Sequence, residues 1–183
     1  MHGREQVLIA REVEAIQIPE GTRIRLPEGM EVLITQELGG SFTIMTSRGL
    51  MYRIDQNDAD ALGKEVTEVE FDDSVAETKE AVEERIWEQM KKCYDPEIPV
   101  NVVDLGLIYD CDVAASPNGG HSVEVKMTLT APGCGMGPVL AEDVKNRVQE
   151  VPGVEQVHVE VVFDPPWNPN MMTEAARLQL GFM

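Results

Sequence analysis

The chain of 183 residues carries 33 acidic and 15 basic side chains, a formal net charge of −18 at pH 7. The deficit of cations is shared, −8 over residues 1–73 and −10 over residues 74–183, with no basic run in either part. A phosphate backbone or an anionic membrane surface would be repelled, which argues against nucleic acid and membrane as partners. Apolar residues at 43% can fill a core, and 26% charged residues suit a water-facing globule. The cysteines at 93, 111 and 134 are odd in number and form no C-x-x-C pair, so a disulfide framework is not expected and a reducing cytoplasm is. Met1 to Arg11 lacks the apolar centre of a secretory leader, and no apolar run approaches the length of a membrane span.

Residues 1–63 read as a small all-β, barrel-like domain. Turn signals at Glu20-Gly21, Pro27-Glu28-Gly29, Gly39-Gly40 and Ser47-Arg48-Gly49 punctuate the chain. Between them the pairs Ile16/Ile18, Ile24/Leu26, Val32/Ile34 and Phe42/Ile44 each put two apolar side chains on one face of a strand. Asp58 is expected to cap a short helix over Ala59 to Leu62, closed by Gly63. No His, Cys or carboxylate cluster stands at catalytic spacing in this part, which suits a docking or stabilising module. Residues 64–73 are acidic and weakly apolar and read as a linker.

Residues 74–183 read as an α+β domain. Ser74-Val75-Ala76-Glu77 is a capping box, and Val82, Ile86 and Met90 give the following helix its buried stripe. Asp95-Pro96-Glu97-Ile98-Pro99 stops that helix, because a residue before proline avoids the α region. It sets Asp95 and Glu97 on a stiff loop, where they either end the helix in solvent or serve a site. Asp104-Leu105-Gly106 turns the chain into a strand through Leu107, Tyr109, Cys111 and Val113, whose phase makes Cys111 a core residue. A second strand, Ser122 to Thr130, turns Val123, Val125, Met127 and Leu129 inward. Leu140, Val144, Val148 and Val151 share one face of a helix from Pro138 to Val151, and Val157, Val159, Val161 and Phe163 alternate as a third strand. This order predicts helices on one face of a three-stranded sheet.

Between the second strand and the second helix lies Thr130-Ala131-Pro132-Gly133-Cys134-Gly135-Met136-Gly137-Pro138. Glycines at 133, 135 and 137 leave backbone N–H groups open to a close approach, and the positive end of the helix favours a thiolate at Cys134. A thiolate is what a metal ligand or a nucleophile requires. As a nucleophile Cys134 needs a base, and His158 is the one histidine on a neighbouring strand. As a phosphate cradle the loop lacks the lysine of a P-loop.

Asp95-Pro96-Glu97-Ile98-Pro99, Val103-Asp104-Leu105-Gly106-Leu107-Ile108-Tyr109 and Thr130-Ala131-Pro132-Gly133-Cys134 together resemble the iron–sulfur cluster assembly domain family, in particular its SufT-type, PaaD and cytosolic cluster-targeting members. The motifs cover about residues 75–165, and the tail Phe163-Asp164-Pro165-Pro166-Trp167-Asn168-Pro169 looks like the long SufT form. The resemblance implies a two-layer α-β-β-α-β domain and a cytoplasmic accessory factor rather than an enzyme. It would serve the iron–sulfur assembly machinery and apo client proteins. Cys134 would be the reactive or metal-binding thiol, Asp95 and Thr130 its recurrent companions, Asp104 a further candidate, with Glu97, Gly133 and Gly135 in the same motifs. A cluster usually takes four thiolates. One loop cysteine, or two in a homodimer, would leave carboxylates such as Asp95 and Glu97 or a partner's thiol to complete the shell. The expected cargo is therefore a transient cluster or iron, not a firmly held one.

Overall fold

The structure, a computed structural model, describes residues 4–72, 78–95, 98–133 and 135–182. The chain is mixed α/β and divides into two compact units, Met1–Glu68 and Val69–Met183.

The first unit holds β1 (Glu5–Leu8), β2 (Val13–Ile18), β3 (Arg23–Leu26), β4 (Glu31–Leu38), β5 (Ser41–Thr46) and β6 (Met51–Ile54). They form one antiparallel six-stranded sheet in the order β1-β4-β5-β6-β2-β3, with β1 and β3 at its two ends. Gly39 and Gly40 make the two-residue turn that sets Leu38 opposite Ser41, as the sequence leads one to expect. Val32, Ile34, Phe42 and Ile44 are core residues. In β2, however, the inward phase begins at Val13 and Ala15, and Ile16 is only half-buried.

A 3-10 helix, Gln56–Leu62, follows, closed by Gly63 in a left-handed conformation. Its cap is Asp55, whose carboxylate accepts from the Asn57 N–H at 3.0 Å, and not Asp58. Asp58 sits at a non-helical kink within this segment (φ −107°, ψ 17°), and its carboxylate is engaged by Arg11 at 2.8 Å. The same guanidinium takes Asp60 through two bonds, of 2.7 and 2.8 Å, and this hydrogen bonding holds the Asp60 carboxyl below the usual carboxylate range.

The second unit runs α1 (Lys79–Met90), β7 (Ile108–Ala115), β8 (His121–Met127), α2 (Gly137–Gln149), β9 (Val154–Val161), a 3-10 turn (Pro169–Met171) and α3 (Glu174–Leu180). The expected capping box at 74–77 lies outside the described residues; the Thr78 hydroxyl caps α1 by accepting from the Ala81 N–H at 3.2 Å. Strand β8 is central, antiparallel to β7 and parallel to β9. Parallel neighbours need a long crossover, and α2 supplies it. Val82, Ile86 and Met90 of α1 and Leu140, Val144 and Val148 of α2 share one core with Val113, Val123, Val125, Met127 and Val157. The helices thus cover one sheet face. The other carries polar rows read across the three strands, Asp110–Lys126–Glu160 and Asp112–Glu124–His158.

Cys93 is buried at the end of the α1 stripe, whereas Cys111 is half-buried rather than fully in the core. Strand β7 is an edge, so its residues have a strand neighbour on one side only. Burial, reinforced by Glu83, Asp110 and Asp112, pushes the Cys111 thiol from its ordinary 9.0 up to about 12. The unfolded chain ionises this thiol first, so its contribution to stability is intact below pH 9.0 and is lost as pH rises toward about 12. Urea midpoints measured across that interval should fall more steeply for the parent chain than for Cys111→Ala. Parallel curves would show that folding leaves the Cys111 thiol where it stands in the unfolded chain.

Candidate functional site

Two loops of the second unit carry the candidate residues, and a series of backbone hydrogen bonds ties them together. The first leaves α1 at Cys93. Tyr94 and Asn101 form an isolated antiparallel bridge that closes its neck. The Val102 N–H donates to the Cys93 carbonyl at 2.8 Å, and the Leu107 N–H to the Val102 carbonyl at 3.0 Å. The Thr128 N–H then donates to the Leu107 carbonyl at 2.8 Å. So the loop that bears Asp95 and Asp104 is stitched to the segment that leads, two residues later, to Thr130. The buried side chains of Val102, Leu105 and Leu107 pin this arrangement from beneath.

Asp95 is buried, at 8% exposure. Asp104 is half-buried. Its carboxylate accepts from Asn101 Nδ2 at 2.8 Å, while Asn101 Oδ1 accepts from the backbone N–H groups of Val103 and Asp104 at 3.0 and 2.9 Å. Asn101 and Asp104 therefore lock the turn on which both lie. Thr130 is half-buried, and Gly133 and Gly135 are exposed. Glu97 and Cys134 lie outside the described residues.

The glycines of the second loop have different jobs. Gly133 has φ +76° with open space where a Cβ would stand, so it serves the turn. Gly137 serves packing: a Cβ there would lie 2.5 Å from Leu129 Cδ1. The expectation that all three glycines bare the backbone thus fails at Gly137, because the start of α2 is pressed against the chain leaving β8. That chain leaves the sheet after Met127, earlier than the expected Thr130, and Thr128 is buried at 1% exposure with no hydrogen-bond partner for its hydroxyl. Helix α2 begins at Gly137 with Pro138 in its first turn, and no side chain caps it. Backbone donors at such a start, with the positive end of the dipole, favour an anion nearby.

The two described histidines are placed away from the second loop. His121 opens β8, at the end remote from it. His158 is in register with Glu124, three residues before the Met127–Val161 pair at the loop end of the strand. At the rise of a strand that is about 10 Å. Among the described residues, no group of three or more His, Cys, Asp or Glu side chains is arranged to hold a metal ion. No helix among them is long and apolar enough to cross a membrane.

Sequence reasoning missed the tail's part in this geometry. The Trp167 indole N–H donates to the Leu105 carbonyl at 2.7 Å, and the Thr173 N–H to the Asp104 carbonyl at 2.9 Å. Gly106, at φ +76°, leaves room for the Met171 carbonyl, which a Cβ would meet at 2.2 Å. The proline-stiffened run ending in a tryptophan marks a rigid segment with one donor to satisfy, but not where that donor goes.

An α-β-β-α-β unit with these two loops at the leaving end of its central strand defines a class, and comparison with known proteins identifies it. Residues 83–161 match the model of the iron–sulfur cluster assembly protein family. The chain is 50% identical over 101 residues to the Fe-S protein maturation auxiliary factor of Porphyromonas gingivalis, covering 55% of this chain and 92% of that one. It is 39% identical over 87 residues to the Fe-S protein maturation auxiliary factor SufT of Staphylococcus aureus, covering 48% of this chain and 94% of the relative. A crystal structure of a DUF59 domain from Bacillus anthracis is 36% identical with a TM-score of 0.49, covering 57% of this chain and 96% of that one. The chain belongs to the iron–sulfur cluster assembly family, as a SufT-type member.

Proposed function

We propose that this protein is a non-enzymatic accessory factor in the maturation of iron–sulfur proteins, acting through the Cys134 loop as a carrier or adaptor. The observation that carries this reading is kinship: a relative matched over 92% of its length at 50% identity is named a maturation auxiliary factor. The assembly machinery and apo client proteins are the partners, and the six-stranded first unit is a docking or stabilising module.

Residue chemistry narrows the role. Cys134 supplies one thiolate, favoured by the uncapped start of α2. A cluster asks for about four, so the remaining ligands come from a second copy, a client or an assembly protein. The acids of the first loop, Asp95 and Glu97, are the oxygen donors in this reading, Thr130 orients the thiol, and Asp104 keeps the loop in shape through Asn101. Gly133 and Gly135 let the cargo approach the backbone. A cargo so thinly held is easily passed on. The rival reading, Cys134 as a nucleophile with His158 as base, is opposed by the position of His158 partway down β9 on the open sheet face, about 10 Å of strand from the loop.

Anaerobic reconstitution with iron and sulfide tests the proposal. The wild-type chain should develop charge-transfer absorption and a Mössbauer spectrum of cluster or thiolate-bound iron, and chelator should remove both readily. Cys134→Ser should develop neither. Equal spectra from the two proteins would end the assignment of Cys134 as ligand.

A further inference from the structure

Residues 165–173 lie as a strap along the first loop, and their ties to it run through main chain. Besides Trp167 on the Leu105 carbonyl and Thr173 on the Asp104 carbonyl, the Tyr109 hydroxyl reaches out to the Pro165 carbonyl at 2.7 Å. Past the strap, Gln179 Nε2 donates to the Pro99 carbonyl at 3.0 Å. A tie to a carbonyl fixes the path of a loop whatever its side chains are. The Trp167 ring packs against the domain core, so its N–H is aimed by a group that cannot swing away. Leu105, which receives it, is two residues from Leu107, whose carbonyl accepts from Thr128 on the way to Thr130.

Resting on the reading just given, we infer that Trp167 is a positioning residue of the candidate site. It touches no cargo. By holding the Leu105 carbonyl it fixes the 104–107 turn, and through the Leu107–Thr128 bond it fixes the Asp95 loop against the Thr130 loop. Groups that orient a ligand shell from outside commonly matter about ten- to a hundredfold to metal affinity or activity.

The test uses Trp167→Phe in the full chain, which removes the indole N–H and keeps a ring over the core. Tyr109→Phe is the control, since it frees the strap at Pro165 and loses the hydroxyl's contact with Met171 Sδ at 3.6 Å, but leaves Leu105 held. Iodoacetamide labelling of Cys134 is followed across pH, alongside melting temperature and rescue of a strain lacking the endogenous factor. Trp167→Phe should shift the Cys134 labelling profile and cut rescue about tenfold or more. Tyr109→Phe should keep the wild-type labelling profile and rescue, whatever each variant loses in melting temperature. Should Trp167→Phe fold poorly, Thr173→Pro removes the tie to Asp104 at a φ of −62° that proline adopts, against Thr173→Ala, which loses the helix cap alone. Wild-type labelling and rescue in Trp167→Phe, or equal shifts in the two phenylalanine variants, would overturn the inference and leave the strap a mere cover. Full rescue by Cys134→Ser, run in parallel, would instead sink the underlying function while the labelling shift still reports on the strap.

Discussion

Cys134→Ala should abolish rescue of iron–sulfur enzyme activity in a strain lacking its endogenous factor, grown under iron limitation, with the folded chain almost as stable as before. The neighbours Pro132, Gly133 and Gly135 are exposed, which is where substitutions usually cost within about 0.5 kcal/mol. Loss of function with retained stability is the signature of a group that works rather than packs. Full rescue would show that the thiol is dispensable. A fall of many degrees in melting temperature would show that it is packing. The contrast with Cys93 makes the comparison sharp: Cys93 is 3% exposed among core side chains, and its removal should act through stability alone.

Gly106→Ala should cost about 2–4 kcal/mol: about 1–2 from the left-handed backbone and a further 1–2 from the clash. The neighbour in the way is the Met171 backbone carbonyl at 2.2 Å, which cannot retreat without undoing the Thr173 and Trp167 bonds. Gly133→Ala is the internal reference. It has the same φ of +76° and nothing in its way, so only the backbone cost of about 1–2 kcal/mol should appear. Urea unfolding of the two variants decides the point, and equal midpoints would mean that the strap gives way freely.

The element order of the second unit was legible because strands of period two and helices of period four alternate there with little interruption. Val123, Val125 and Met127, like Val82, Ile86 and Met90, are buried as their spacing requires. The end of β8 was misread because Thr128 and Thr130 continue the alternation on paper, whereas the chain turns inward at Thr128 to bond Leu107. In the first unit Asp58 was a plausible cap by residue type; Arg11, 47 positions away, claims its carboxylate. The candidate motifs were visible as residues, but the bonds that relate them were not. The Leu107–Thr128 pairing and the indole on Leu105 are tertiary choices, made between segments that no local pattern connects.

The tryptophan that holds Leu105 is made 62 residues after it. During synthesis the β7–β8 hairpin and α1 can fold while the acid-bearing turn still lacks its tether, and β9 must wait for α2 to cross over. Met172 and Ala176, which follow that tryptophan, are themselves core residues, so the core of the second unit and the tether of its acid-bearing turn are completed together, late in translation.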